Sequence, residues 1–253
     1  MSKQQDLKSI CLSEFLEYKT LYYDKIDFSY VQKAWKLLEE KIKLPYVIHI
    51  VGTNGKGSTG RFLASYLHKK EYEVLHYSSP HIIKFNERIW KNGSNIDDES
   101  LEKAHKFLQD IFDIELLKIL TYFEYTTLLA LYLSKDVDYL ILEAGLGGEF
   151  DATNVVKNQL SLITTIGLDH QEFLGNSIEE IAKTKMRSCD TKMIVGYQEY
   201  SEVKEYAKQI KNHKNIDLKI VDEFDKYEFS NSLPSYLKRN LSLVASCLEE
   251  LKI

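Results

Sequence analysis

Residues 52–59 read GTNGKGST; they follow the apolar run YVIHIV at 46–51 and precede a segment with helical spacing at 61–70. A glycine-rich turn between a strand and a helix N-terminus presents backbone N–H groups and the positive end of the helix dipole to an anion. Lys56 can reach the outer phosphates, and Ser58 or Thr59 can offer a hydroxyl to Mg²⁺. The loop therefore predicts a nucleoside triphosphate site. The alternative, a glycine turn that only packs a strand against a helix, gives no reason for the lysine and the two hydroxyls.

Composition narrows the class of protein. The 253 residues are 44% hydrophobic and 28% charged, with a net charge of −5 and no basic stripe, which fits a globular chain and disfavours a nucleic-acid partner. Cys11, Cys189 and Cys247 are too far apart for a disulfide framework or a zinc spacing and predict buried thiols in a reducing compartment. No stretch approaches the ~20 apolar residues of a membrane span. We therefore expect a cytoplasmic monomer without a membrane partner.

Strand-like and helix-like segments alternate along most of the chain. Apolar spacing and capping signals predict helices at 7–21, 29–43, 61–70, 97–112, 121–134 and 202–211 and one beginning at Ser177, and strands at 46–51, 74–78, 139–142, 160–166, 193–195 and 218–221. Capping boxes are expected at Ser29 with Gln32 and at Thr121 with Glu124. This order predicts an α/β fold of the P-loop NTPase type, a mostly parallel sheet with helices on both faces.

Polar clusters follow four of the predicted strands, and ligands of such sheets bind beyond the carboxyl ends of the strands. The clusters are the phosphate loop, the segment Ser78-Ser79-Pro80-His81, Glu143 with the glycines after it, and Asp169-His170. Glu143 is placed to reach a metal ion beside the nucleotide, although a strand-end carboxylate bonded to nearby backbone N–H groups is the alternative. His170 is a second candidate ligand, or a structural hydrogen-bond donor, because Mg²⁺ prefers oxygen ligands.

The basic residues around Lys185 do not by themselves indicate a function for it. Lys183, Arg187 and Lys192 lie nearby, so the spacing predicts a solvated helix face. Tyr122 and Phe123 are likewise expected to be core aromatics.

Five motifs in sequence order carry a resemblance to a known family. They are GTNGKGST, YSSPHIIKFNERI, LTYFEYTTLLAL, LILEAGLGGEFDATNVV and TTIGLDHQEFLGNSIEEIAKTK, within residues 26–185, with a weaker echo at Leu233-Pro234 and Asn240. Together they resemble the dihydrofolate synthase/folylpolyglutamate synthase family of the Mur ligase superfamily. The resemblance implies the central-domain fold of those ligases.

The resemblance also implies a reaction. ATP phosphorylates a carboxylate of dihydropteroate or of a folate, and the amino group of L-glutamate then displaces phosphate from the acyl phosphate to form an amide. Cations and oriented N–H groups stabilise the transferring phosphoryl group in such chemistry. A Mur-type ligase for a cell-wall precursor and a non-catalytic nucleotide-binding module remain alternatives.

Site residues follow from the resemblance by motif position. The nucleotide contacts it implies are Thr53, Asn54, Gly55, Lys56, Gly57, Ser58, Thr59 and Asn240. The implied Mg²⁺ ligands are Ser79, Glu143 and His170, and Lys185 falls where the family has a carbamylated lysine, so that Lys56, His170 and Lys185 form the implied catalytic set. The implied pterin-substrate positions are Asp27, Phe28, Ser29, Thr121, Tyr122, Phe123, Glu124, Phe150 and Asp151.

Three features depart from the family pattern. Glu149 stands where the family usually has arginine, and Thr184-Lys185-Met186-Arg187 replaces the usual E-K-A-G. The third departure concerns the C-terminal domain of the family, which at the ~100–150 residues of a typical domain does not fit within this sequence. We therefore expect residues 1–253 to be the N-terminal P-loop ATPase domain, including a helical segment at 1–45, without the C-terminal domain.

Overall fold

A computed structural model describes residues 7–20, 27–221 and 232–253 of the chain. Its sheet has eight strands in the order β4-β3-β2-β5-β1-β6-β7-β8. The strands are β1 (Tyr46–Val51), β2 (Val74–Tyr77), β3 (Ile89–Lys91), β4 (Ser94–Asn95), β5 (Tyr139–Glu143), β6 (Leu160–Ile163), β7 (Lys192–Val195) and β8 (Asp217–Ile220). In this order, the six strands β2, β5, β1, β6, β7 and β8 pair in parallel with one another. At the edge of the sheet, β3 pairs antiparallel with β2 and with β4. The expected mostly parallel sheet is confirmed.

Helices cover both faces of this sheet. They are α1 (Leu12–Glu17), α2 (Ser29–Glu39), α3 (Lys56–Lys69), α4 (Asp98–Ile111), α5 (Ile114–Ile119), α6 (Tyr122–Leu133), α7 (Gln171–Leu174), α8 (Ile178–Met186), α9 (Ser201–Lys214) and α10 (Ser235–Leu251). Two short 3₁₀ turns lie at Phe85–Arg88 and Ala152–Val155. In the part of the chain that the structure describes, no helix is long and apolar enough to span a bilayer.

The central strand β1 shows why both faces are covered. Five of its six residues are buried, because side chains alternate between two apolar layers. Val47 packs into the layer formed with α1, α2 and α4 to α6. Ile48 and Ile50 pack into the opposite layer, with α3 and α10. A third apolar cluster joins Val51 to α8 and α9. The loop after β1 is therefore anchored from several sides.

Helix boundaries follow capping chemistry more closely than apolar spacing. Thr121 accepts a hydrogen bond from the Glu124 N–H, and the Glu124 side chain returns to the cap, so this predicted capping box is confirmed. The predicted box at Ser29 is wrong, because Phe28 is the N-cap and the Ser29 hydroxyl donates to Asp27 Oδ1 at 2.6 Å.

The predicted helix at 7–21 is shorter in the structure, and residue 21 lies outside the described residues. The predicted helix at 29–43 ends at Glu39. Two of the cysteines are buried as expected, but Cys11 is exposed at the N-cap of α1, so the prediction of a buried thiol is wrong there.

Candidate nucleotide and metal site

The four polar clusters meet at one edge of the sheet. Strands β2, β5, β1 and β6 are consecutive neighbours and run in parallel, so their carboxyl ends lie side by side. These ends carry Ser79, Glu143, the phosphate loop and Asp169, respectively. The expected convergence of the clusters is thereby confirmed at the level of strand order.

The phosphate loop is tied to the strand end next to it. The N–H groups of Thr53 and Asn54 both donate to the carbonyl oxygen of Thr165, at 2.9 and 3.1 Å. Gly55 is the N-cap of α3 and has φ +88°, a left-handed conformation that favours glycine. The chain enters α3 at Lys56, so the first turn of a 14-residue helix opens directly on the loop. This is the geometry in which a helix N-terminus receives a phosphate.

Two side chains from distant parts of the sequence flank this loop. A Cβ atom added to Gly55 would lie 2.5 Å from Asn240 Oδ1, so Asn240 on α10 touches the loop backbone. A Cβ atom added to Gly57 would lie 3.4 Å from Glu143 Oε2, which places the Glu143 carboxylate against the first turn of α3. The structure thus brings together Asn240, Glu143 and the loop, as the motif positions predict.

Two lysines converge on one carbonyl group. The ammonium of Lys56 donates to the carbonyl oxygens of Gly52 at 3.1 Å and Thr53 at 3.3 Å, and Lys185 Nζ donates to Gly52 O at 3.0 Å. Lys185 is only 3% exposed, so the solvated face predicted from the pattern is wrong at this position. Burial, followed by the nearby charge of Lys56, lowers the pKa of Lys185 to about 8, while Asp169 raises it.

Glu143 has the features of a cation ligand. Its carboxyl group is 5% exposed and accepts the N–H of Ser79, while its Oε2 atom has no hydrogen-bond partner among the described residues. Burial raises the pKa of Glu143 to about 7, and Lys56 opposes that rise. A buried carboxylate oxygen without a donor is costly, and a hard cation such as Mg²⁺ would satisfy it. The residues present therefore fit a magnesium ion at this edge.

His170 occupies a more exposed position. It has φ +46° at the N-cap of α7, its side chain is 53% exposed, and its Nε2 atom lies 3.5 Å from Asp169 Oδ2. Within the described ranges, no three His, Cys, Asp or Glu side chains form a metal cluster. A site with one buried carboxylate accords with Mg²⁺, which is usually held by one or two carboxylates together with phosphates and water. The metal role of His170 stays a prediction.

The predicted substrate residues near the start of α2 include two aromatic rings in contact and a local hydrogen-bonded turn. The rings of Phe28 and Phe150 meet edge to face at 6.4 Å between centroids, and Phe150 is 56% exposed. Asp27 accepts from both the N–H and the hydroxyl of Ser29, which fixes the entry to α2. Phe28 and Phe150 thus form an accessible aromatic corner beside the glycine loop after β5.

The start of α6 holds four more of the predicted substrate residues, Thr121 to Glu124. Tyr122 lies under the guanidinium of Arg88 at 5.1 Å, and Phe123 packs so closely on Gly145 that an added Cβ would come within 2.6 Å of its ring. Thr121 and Glu124 are buried, and the side chain of each accepts the backbone N–H of the other in the helix cap. A substrate role for these four residues stays a prediction.

Asp151 is buried and bonded within its own turn. Its carboxylate accepts the N–H groups of Leu146 at 2.7 Å and Thr153 at 2.9 Å, together with the Thr153 hydroxyl. Burial raises the pKa of Asp151, and these hydrogen bonds oppose the rise. In this structure Asp151 shapes the loop that presents Phe150, and direct contact with a substrate stays a prediction.

Comparison with known proteins agrees with this geometry. Residues 50–225 match the family described as the Mur ligase middle domain. The chain belongs to the Mur ligase family. It is 41% identical over 181 residues to a dihydrofolate synthase/folylpolyglutamate synthase of Haemophilus influenzae, an alignment that covers 69% of this chain and 40% of that protein.

Solved structures of related Mur ligase proteins show the same fold. A folylpolyglutamate synthetase of Helicobacter pylori superposes with a TM-score of 0.81 at 38% identity, covering 95% of this chain and 62% of that one. A bifunctional folylpolyglutamate synthase/dihydrofolate synthase with Mn, AMPPNP and L-glutamate bound gives a TM-score of 0.80 at 25% identity, covering 99% and 64%. The chain therefore spans about two fifths to two thirds of the length of these relatives.

Within this Mur ligase chain, the two unusual charges of the glycine loop and α8 face each other. Arg187 Nη1 lies 3.2 Å from Glu149 Oε2, and the Glu149 N–H donates to the Thr184 carbonyl at 2.9 Å. The pattern of the sequence did not reveal this pair, because the two residues are 38 positions apart. The reversed charge at Glu149 is thus neutralised by Arg187.

Proposed function

We propose that this chain is the nucleotide-binding part of an ATP-dependent ligase that adds L-glutamate to dihydropteroate or a folate through an acyl phosphate. The observation that carries the proposal is that Lys56, Lys185 and the Glu143 carboxylate meet at the phosphate loop, where Glu143 Oε2 has no hydrogen-bond partner among the described residues. Support also comes from the relatives, whose names describe synthases of this class. The related structure with Mn, AMPPNP and L-glutamate bound supports the use of a nucleotide and an amino acid as substrates, together with a metal ion.

Each residue at the loop has a role in this proposal. Lys56 and the N–H groups of residues 55–58 bind the ATP phosphates, while Thr53, Asn54 and Thr59 hold the loop in shape through their own backbone hydrogen bonds. Asn240 lies against the loop from the other side. Glu143, Ser79 and His170 hold Mg²⁺, which neutralises charge on the transferring phosphoryl group when bound. Because phosphoryl transfer depends mainly on positioning and charge, the rigid anchoring of the loop to Thr165 is part of the catalytic design.

Lys185 fits the same scheme through its unusual environment. A lysine whose pKa is lowered to about 8 has a larger neutral fraction at neutral pH than an ordinary lysine. The neutral amine can add CO₂ and release a proton, which gives a carbamate with two oxygen donors beside the metal residues. We propose this modification for Lys185, as the resemblance implies.

The aromatic corner of Phe28 and Phe150 is the proposed pterin-facing wall, with Asp27, Ser29, Asp151 and the start of α6 around it. Flat apolar rings on an accessible edge suit a flat heteroaromatic ligand. We also propose that the protein works as a cytoplasmic monomer without nucleic-acid or membrane partners. The net charge of −5 supports the lack of a nucleic-acid partner.

Calorimetry of ADP binding in the presence of Mg²⁺ tests the nucleotide site. Lys56→Ala should weaken binding by at least about tenfold, or 1.4 kcal/mol, because it removes the cation that the loop itself carries. Lys69→Ala is the matched control, since Lys69 is exposed at the far end of the same helix. Equal affinities of the two variants would rule out the assignment of the loop.

Phosphate release distinguishes the substrates. ATP turnover is measured with dihydropteroate plus L-glutamate, and separately with a UDP-sugar acid plus an amino acid. Each reaction is run with the 253-residue chain and with a fusion to the part of the Haemophilus influenzae relative that follows the matched region. Glutamate-dependent turnover with dihydropteroate supports the proposal. Turnover with the UDP-sugar acid would favour a cell-wall ligase, and nucleotide binding without any turnover would favour a non-catalytic module.

A further inference from the structure

A row of three buried side chains links the central strand to the turn after β5. His49 on β1 lies 2.8 Å through its Nε2 atom from the Thr153 hydroxyl oxygen, and Thr153 in turn contacts the Asp151 carboxylate. The three residues are 1%, 1% and 4% exposed. Neither the motifs nor the proposed chemistry accounts for a histidine at this point of an otherwise apolar strand.

The direction of each hydrogen bond follows from the donors around Asp151. Three N–H groups, those of Leu146, Thr153 and Gly145, donate to its carboxylate and oppose the rise in pKa that burial causes, and the Thr153 hydroxyl lies in donor geometry to Oδ1. The single proton of the Thr153 hydroxyl therefore points to Asp151. The Thr153 oxygen must then accept from His49, so that the His49 ring carries its proton on Nε2.

The other ring nitrogen is consistent with this tautomer. His49 Nδ1 has no hydrogen-bond partner among the described residues, and burial lowers the pKa of His49 to about 4. The ring is thus neutral at physiological pH, and its single N–H group donates to the Thr153 hydroxyl oxygen. A buried donor–acceptor row of this kind fixes rotamers, because turning the ring away would leave the Nε2 proton without an acceptor as well.

We propose that His49 is a positioning residue that sets the Thr153 hydroxyl, and through it the Asp151 turn that presents Phe150. The row connects two parts of the site that are separate in sequence, because β1 continues directly into the phosphate loop while the Asp151 turn carries the proposed pterin-facing ring. This function of the turn rests on the proposed ligase activity; the hydrogen-bond row itself does not.

His76 supplies a matched control within the same sheet. It lies on β2, is also 1% exposed, and has no hydrogen-bond partner at either ring nitrogen among the described residues. Replacing either histidine by leucine removes a buried imidazole from the sheet. Only the replacement of His49 removes a hydrogen bond to the Asp151 turn.

Amide hydrogen exchange tests the proposal on the whole chain. His49→Leu should accelerate exchange at the Leu146 and Thr153 amides, which donate to Asp151, by about tenfold, or 1.4 kcal/mol. His76→Leu should leave both amides protected. His49→Gln, whose side-chain amide places a donor near the Nε2 position, should restore protection. Nitrogen NMR of the wild-type chain should show His49 with its proton on Nε2, a measurement that does not depend on the folding of any variant.

The outcomes separate this inference from the proposed function. A proton on Nδ1, unchanged exchange in His49→Leu, or equal acceleration in His76→Leu would overturn the role of His49. In the ligand arm, His49→Leu should weaken dihydropteroate binding while ADP affinity is unchanged. If the wild-type chain binds neither dihydropteroate nor folate, the proposed substrate is wrong, and the exchange and NMR results still decide the role of His49.

Discussion

Glu143→Gln removes a carboxyl group that should make stability depend on pH. Burial raises the pKa of Glu143 from 4.5 to about 7, so the folded chain holds this proton more tightly than the unfolded chain. The stability that results is present below pH 4.5 and is lost as the pH rises through 7. Since a tenfold change in proton affinity is worth about 1.4 kcal/mol, the ionised carboxylate costs roughly 3 kcal/mol at pH 8 in the metal-free chain.

Urea unfolding between pH 5 and pH 8, without divalent cations, measures this cost. At pH 5 the variant should be the more stable by only about 1 kcal/mol, because glutamine resembles a protonated glutamate and the unfolded wild type has begun to lose its proton. At pH 8 the variant should be the more stable by up to roughly 3 kcal/mol. Mg²⁺ with ADP should then stabilise the wild type more than the variant, because the ligands bind the native state through the carboxylate.

Glu99→Gln controls for the loss of one negative charge. Glu99 is exposed and pairs with Lys103 at 2.6 Å, so its removal should change stability little, because exposed ion pairs are weak. Lys185 does not confuse the measurement, because its lowered pKa of about 8 acts between pH 8 and 10.5. Parallel pH profiles for wild type and Glu143→Gln would refute the claim that burial raises the pKa of this carboxyl group.

Three further predictions concern other parts of the site. Gly55→Ala should destabilise the chain by about 1–2 kcal/mol and weaken ADP binding, since φ is +88° and the new Cβ would meet Asn240, whereas Gly167→Ala, with open space around it, should be nearly neutral in urea unfolding. Lys185 should give a ¹³C carbamate signal in labelled bicarbonate, and phosphate release by Lys185→Ala in the full-length fusion should be partly restored by short carboxylic acids; a wild-type chain without the signal would exclude the modification. Thr121→Ala should cost about 1–2 kcal/mol in thermal or urea unfolding by removing the confirmed cap, and an unchanged midpoint would contradict the structural role of that box.

Much of the fold could be predicted because local signals agree with it. Apolar runs bounded by polar clusters gave the parallel strands, and the cap at Thr121 gave the start of α6 to the residue. The β3–β4 hairpin was missed although its turn is Asn92-Gly93, with φ of 49° and 97°, a common signal for a tight hairpin. Its strands are only three and two residues long, too short for an alternating pattern to stand out.

The sequence predicts the site residues whose motifs dictate the backbone geometry. It predicts less well the residues whose environment depends on burial in the folded chain. The charged neighbours of Lys185 predict a solvated face, yet Lys185 shares a helical stripe with three buried residues, Ile181, Ala182 and Met186. That apolar stripe was the available signal. The role of His49 had none, because its partners Thr153 and Asp151 are about a hundred residues away in sequence.

The ion pair between Glu149 and Arg187 has a consequence for how such sequences can diverge or be recombined. If the usual arginine of the family were placed at 149 beside Arg187, two cations would face each other across a contact of 3.2 Å, whereas Glu149 without Arg187 would leave only one partly exposed acid. Starting from the usual arginine of the family, a mutational route that changes position 149 before arginine appears at 187 is therefore the easier one. Chimaeras that join this chain to a relative anywhere between these two positions should inherit both charges from the same parent.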